Sequence, residues 1–316
     1  MKIYATPLEQ PNERRKSVLA IGNFDGVHRG HQALLKTAKD IAVAQNVPLA
    51  VLTFEPHPRS IFRPDDPPFR LTPPSLKAQR LEACGVDILY SLPFDWDFAS
   101  QSAEVFTDRV LKNGIAPSHI VIGADFRFGQ LRAGTPKMLR DTGFKVTTLE
   151  KISMPDGSPF SSSIIRQALR DGDIKRANAM LGWEWMIEGA VVHGDKRGRE
   201  IGYPTANVPL GKTLHPAYGI YAAWVQVEDE KEWHPAALNV GIRPMFELSV
   251  GQVEAHILGG FNRDIYGNTL RIRPVQRLRG EARFESIESL IAQIGKDCEA
   301  AMTILIQNNA SAKRHF

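Results

Sequence analysis

The order in which apolar runs follow one another constrains this chain most. Through the first half, short apolar runs alternate with segments of helical spacing: "SVLAIGNF", "HQALLKTAKDIAVAQN", "PLAVLTFEP", "SLKAQRLEACG", "VDILYSLPF", "AEVFTDRVLKNG" and "HIVIGADF". Such alternation predicts a parallel sheet with crossover helices, because parallel neighbours need a long return connection. From about Trp183 the texture changes. "MIEGAVVHG", "GIYAAWVQVED", "WHPAALNVG", "QVEAHILG" and "NTLRIRPVQRLRG" are short runs bounded by Gly, Pro, Asn or charged residues, several alternating at period two. They predict a small antiparallel barrel. A closing helix follows, with Ile287, Leu290, Ile291, Ile294, Cys298, Ala301 and Leu305 on one stripe. The helical "SIIRQALRDGDIKRANAMLG" ends at Gly182, so the expected domains are 1–182 (α/β) and 183–316 (β). The Pro-rich "RPDDPPFRLTPPS" (63–75) reads as a surface loop.

At 316 residues with 43% hydrophobic content, the chain has material for two cores. No apolar run approaches the roughly 18 residues that cross a bilayer. The opening "MKIYATPLEQPNERRK" lacks an apolar signal core. The expectation is a cytoplasmic protein with no membrane partner. Cys84 and Cys298 are far apart and read as small hydrophobes in helices. The formal charge is +4, with 24 basic and 19 acidic side chains up to residue 182 and 15 and 16 beyond. That mild excess, with no basic arm, points away from nucleic acid and fits an acidic small molecule such as a nucleotide. The oligomeric state is left open, a homo-oligomer included.

Two segments carry chemistry. In "GNFDGVHRGHQALL", Gly22, Gly26 and Gly30 accompany His28 and His31 where a strand turns into a helix. Helix N-termini attract phosphate, and glycines let the backbone approach it. His28 and His31, at i and i+3, share one face and can donate to phosphate oxygens as charge builds. Neither GxxxxGK[ST] nor GxGxxG occurs. In "HGDKRGREIGYPTANV", Gly194, Gly198 and Gly202 interleave with Lys196, Arg197 and Arg199, a cationic loop able to cover phosphates. If the following piece is extended, Thr205 and Asn207 point to one face and offer hard oxygen ligands for Mg²⁺ held jointly with ATP phosphates.

HxGH after the first strand resembles the signature of the nucleotidyltransferase superfamily. "IGNFDGVHRGHQALL", with "LTFEPHP", "LTPPSLKAQRLEACGVD", "VIGADFRFGQLRAGT" and "FSSSIIRQALRDGDIKRANAMLG", is similar to the adenylyltransferase half of bifunctional riboflavin kinase/FAD synthetases. "HGDKRGREIGYPTANV" resembles the kinase half, and the likeness runs from about Val18 to Ala301. The resemblance implies a Rossmann-like nucleotidyltransferase domain followed by a riboflavin kinase barrel. Its substrates would be riboflavin, FMN and ATP with Mg²⁺, and its products FMN and then FAD. It further implies that Gly22 and Asn23 lie near the ATP phosphates. Ser162, Ser163 and Arg166 would meet ATP phosphates, and Asp125 the flavin or nucleotide. Thr205 and Asn207 would serve Mg²⁺–ATP, Arg279 would contact flavin or phosphate, and Glu254 of "GQVEAHILGG" would be the catalytic base. Alternation supports the last: Val253, Ala255 and Ile257 form one face, Glu254 and His256 the other. His57 is read as structural. Two positions depart from the family pattern: Ile164 stands where many relatives carry a basic residue, and Met245 where "RPTF" has Thr. Two rivals stay open: one active domain with the other a regulatory flavin binder, and a barrel that binds nucleic acid.

Overall fold

The computed structural model describes residues 1–6, 16–154, 156–194, 197–228, 230–245 and 248–312. They form two compact units, one of Met1–Asp66 and Pro74–Ser161, the other of Pro67–Pro73 and Ser162–Phe316. No helix among the described residues is long and apolar enough to cross a membrane.

The first unit is built on six parallel strands, β1 (Lys2–Tyr4), β2 (Val18–Ile21), β3 (Leu49–Glu55), β4 (Ile88–Pro93), β5 (His119–Gly123) and β6 (Val146–Leu149). Their order is β1-β4-β3-β2-β5-β6. All four residues of β2 are buried because helices cover both faces, which is why it reads as a continuous apolar run. Leu19 and Ile21 enter one core with Leu52, Tyr90 and Phe106, while Val18 and Ala20 enter the other with Leu35, Ala38 and Val51. The predicted helix "AEVFTDRVLKNG" is present, though Phe106–Ile115 winds as a π-helix. The short β1 and β6 lack a strong sequence signal. Strand order reverses between β2 and β5, and ligands of open α/β sheets bind beyond the carboxyl ends of strands at such a switch.

The second unit is antiparallel: β7 (Ile187–Ala190), β8 (Ala206–Pro209), β9 (Gly219–Val227), β10 (His234–Met245), β11 (Leu248–Ile257) and β12 (Thr269–Arg279), ordered β7-β12-β9-β10-β11-β8. A bridge between Val192 and Asn207, with the Val192 N–H donating to the Asn207 carbonyl at 2.8 Å, nearly closes the barrel. The helix Ile287–Ala312 buries Ala301 and Leu305 against Ala222 and Ala237. The apolar stripe starts later than expected, since Ile287 is exposed.

The Pro-rich segment is only in part the expected surface loop: Arg63, Pro64, Asp65 and Pro67 are exposed and Pro74 already opens a helix, but the stretch between them turns inward. Phe69, Arg70, Leu71 and Thr72 are all buried. Their backbone carbonyls hold the second unit: Phe69 O accepts from Arg166 Nε at 2.8 Å, Arg70 O from Leu214 N at 2.8 Å, and Leu71 O from Trp185 Nε1 at 2.9 Å. Proline fixes such a strap extended, and its backbone groups are then satisfied by neighbours. Both cysteines are free. Cys298 is helical as expected, and Cys84 directly follows the helix Pro74–Ala83.

Candidate active sites in the two units

At the carboxyl end of β2 the chain turns through Phe24, Gly26 and Val27, all at positive φ, before the helix Arg29–Gln45. His28 is the N-cap of that helix: its Nδ1 accepts from the His31 N–H at 3.4 Å. The two imidazoles stack, ring centroids 3.7 Å apart and 18° between planes. Phe24 packs on the other side of His31 at 5.1 Å. Gly30 makes room for this arrangement: a Cβ there would crowd the His28 ring at 3.2 Å and Phe160 Cβ at 3.3 Å. At Gly22 a Cβ would meet the Phe24 ring at 3.3 Å.

Burial and the neighbouring His28 hold the His31 imidazole well below the usual histidine range, so it is neutral at pH 7. Among the described residues its buried Nδ1 has no hydrogen-bond partner. Beneath the turn, the buried Lys77 ammonium donates to Thr53 Oγ1 at 3.2 Å, and that hydroxyl donates to the Asn23 carbonyl at 3.1 Å. Because an ammonium cannot accept, the direction of this relay is fixed. Glu55 lies 3.7 Å from Lys77. Asn23 itself is exposed. Asp125 follows β5 at the same carboxyl edge, exposed and paired with Lys151 at 2.9 Å, which lowers its carboxyl pKa. His57, as expected, caps a short helix, its Nδ1 accepting from the Arg59 N–H at 3.1 Å.

Ser162 and Ser163 open the helix Ser162–Arg170, which packs within the second unit. Ser163 is exposed. Arg166 is buried, its Nε committed to the Phe69 carbonyl and its guanidinium 5.4 Å from the Phe69 ring. Ile164 is half-buried.

The barrel holds a cavity of about 470 Å³, a size that suits a small-molecule ligand. Gly194, Gly198, Arg199, Thr205, Asn207, Glu254 and Arg279, seven of the sequence candidates, all line it. Lys196 lies outside the described residues, as does the Met245 side chain. Register explains the convergence. Arg279 pairs with Ile220, Ile220 with Asn239, Asn239 with Glu254, and Glu254 with Asn207, a row across five strands. Directly opposed residues present side chains on one face. Val253 and Ala255 point to the core while Glu254 and His256 face the cavity, as the alternation predicts.

Local contacts fix the polar groups. A Cβ on Gly194 would collide with the Asn207 amide, and one on Gly198 with the Tyr203 carbonyl. Asn207 Nδ2 donates to the Thr205 carbonyl at 3.3 Å. His256 Nδ1 lies 2.8 Å from the Pro204 carbonyl. Arg279 is clamped by Asp297 of the closing helix, Nη2 to Oδ2 at 2.6 Å and Nε to Oδ1 at 3.0 Å, with Gln293 supporting Asp297 at 2.9 Å. The apolar wall includes Ile220, Phe284, Leu290 and Ile294. Cys298 also lines it, its thiol pushed up to about 11, chiefly by burial. Among the described residues no group of three or more His, Cys, Asp or Glu could hold a metal alone. A hydroxyl and an amide oxygen fit Mg²⁺ that brings its own phosphate and water ligands. Asn239, Gln252 and Asp297 escaped the sequence reading, since only strand and helix pairing brings them here.

Comparison with known proteins bears on both sites. A family model described as FAD synthetase matches residues 10–164, and one described as riboflavin kinase matches 181–305. A Bacillus subtilis protein, "Bifunctional riboflavin kinase/FMN adenylyltransferase", is 40% identical over 92% of this chain and 93% of its own. The Escherichia coli K12 protein of the same description is 39% identical over 89% and 90%. The chain belongs to the bifunctional riboflavin kinase/FMN adenylyltransferase family. A crystal structure described as a macrolide-efflux protein from Streptococcus pneumoniae is also similar, with a TM-score of 0.83 and 33% identity over 95% of this chain and 98% of that one. In this bifunctional chain the FAD synthetase match spans His28, His31, Asp125, Ser162 and Ser163 and stops two residues short of Arg166. The riboflavin kinase match spans every barrel candidate from Gly194 to Arg279.

Proposed function

We propose that this enzyme of flavin cofactor biosynthesis runs two phosphorus-centred transfers in sequence, with residues 183–316 acting first and residues 1–182 second. In the first, the riboflavin 5′-hydroxyl attacks the γ-phosphorus of ATP, the bond from that phosphorus to the bridging oxygen breaks, and ADP leaves. Glu254 accepts the hydroxyl proton. Thr205 and Asn207 would hold Mg²⁺, which when bound neutralises phosphate charge. Gly194, Lys196, Gly198 and Arg199 cover the phosphates, and Arg279 orients the flavin or a phosphate. The observation that carries this reading is the row that sets Asn207 opposite Glu254 in one cavity, because the metal ligand beside the phosphates and the base beside the hydroxyl then face one reaction.

In the second transfer a phosphate oxygen of FMN attacks the α-phosphorus of another ATP, and pyrophosphate leaves. His28 and His31 donate hydrogen bonds to the phosphates. Neutral His31 has one N–H to give, and an approaching anion favours its protonation. Gly22 and Asn23 shape the phosphate approach. Ser162, Ser163 and Arg166 are assigned to ATP phosphates, and Asp125 to the flavin or nucleotide. Neither step needs a covalent enzyme intermediate; positioning and charge stabilisation carry both. The test is a pair of variants. His31→Ala abolishes FAD formation and leaves FMN formation, and Glu254→Ala does the reverse. If either change stopped both reactions in a folded protein, the division of roles would fail.

A further inference from the structure

The Gln252 side chain is buried on the same face of β11 as Glu254, two residues away. Its amide nitrogen carries two hydrogens and has two acceptors: Asn207 Oδ1 at 2.6 Å and Glu254 Oε1 at 3.3 Å. One planar group therefore ties a side chain of β8 to another of β11. The Asn207 amide is fixed at both ends, its Nδ2 on the Thr205 carbonyl and its Oδ1 on Gln252. That sets which atom is oxygen, and an amide oxygen with one lone pair used keeps the second for a cation. Likewise Glu254 accepts from Gln252 through Oε1, and among the described residues no hydrogen bond engages Oε2, the oxygen available to a substrate hydroxyl.

We propose that Gln252 is a positioning residue of the kinase half, a clamp that holds the metal-facing oxygen of Asn207 and the proton-accepting carboxylate of Glu254 in one fixed geometry. The inference rests on the assignment of Asn207 to Mg²⁺ and Glu254 to the hydroxyl proton. Gln252 is buried behind these two groups and does not line the cavity. Groups that orient a ligand from behind are typically worth about 10–100-fold in metal affinity or activity.

The experiment uses the full chain. ADP binding is titrated calorimetrically with and without Mg²⁺, and FMN formation is measured alongside, in the parent, in Gln252→Met, which matches length without donors, and in Gln252→Asn, which is too short to span both acceptors. Thermal unfolding and far-UV circular dichroism report that the barrel of each variant is folded, and adenylylation of supplied FMN that the other activity is intact. The expected result in both variants is that the gain in ADP affinity from Mg²⁺ falls about 10-fold. The maximal rate of FMN formation falls as well, and adenylylation is unchanged. In a cycle with Asn207→Ala, the effect of Gln252→Met on the Mg²⁺ gain vanishes, whereas mere destabilisation would add. A parent-like Mg²⁺ gain and rate in Gln252→Asn, with Asn207→Ala defective, overturns the clamp alone. A parent-like Mg²⁺ gain in Asn207→Ala overturns the metal assignment beneath it.

Discussion

His28 and His31 stack face to face, centroids 3.7 Å apart, because one caps the helix whose first turn carries the other. Two protonated rings at that distance would repel, so the arrangement favours a neutral His31 until an anion arrives. A histidine with a lowered folded pKa takes up protons more readily when unfolded. Stability is therefore full above about pH 6.5 and is lost as pH falls from there toward the depressed folded value. Thermal unfolding of the first unit followed from pH 7 to pH 5 is expected to show this loss, and His31→Gln to flatten it.

Gly30 supports that pair by leaving room for the His28 ring. Gly30→Ala forces the His28 ring to move by a few tenths of an ångström against Phe160. FAD formation should fall on the order of tenfold, since 1 Å of misplacement can cost about 10²-fold. FMN formation should be kept. Separate assays of the two half-reactions check it.

Gly194 plays the matching part in the barrel, where an added methyl group would drive into the Asn207 amide. Gly194→Ala is expected to abolish FMN formation from riboflavin while FMN supplied directly still becomes FAD. Product analysis with each starting flavin decides it.

The relay from Lys77 through Thr53 to the Asn23 carbonyl holds the turn that follows β2. Lys77→Met removes a buried donor and is expected to cost about 1–3 kcal/mol of stability in the first unit, read by denaturant titration. FAD formation should drop because the turn loosens.

Much of this was legible in the sequence, and the exceptions share a cause. The continuous apolar runs of β2, β3 and β5 declare a sheet covered on both faces, and the alternation around Glu254 declares a barrel wall. The glycines and histidines of residues 22–31 and the string 193–208 declare where chemistry sits. What depends on long-range pairing did not show. Asn239 and Gln252 join the site through strand register, and Asp297 through the packing of a helix against β12. The strap Phe69–Thr72 looks like a loop by composition and is buried because its carbonyls find partners far along the chain.

The most direct measurement of the central claim is a time course of the purified chain with riboflavin, ATP and Mg²⁺, resolving riboflavin, FMN and FAD. The account predicts FMN that rises and then gives way to FAD. FMN that accumulates without FAD, or riboflavin left untouched while added FMN becomes FAD, would contradict it.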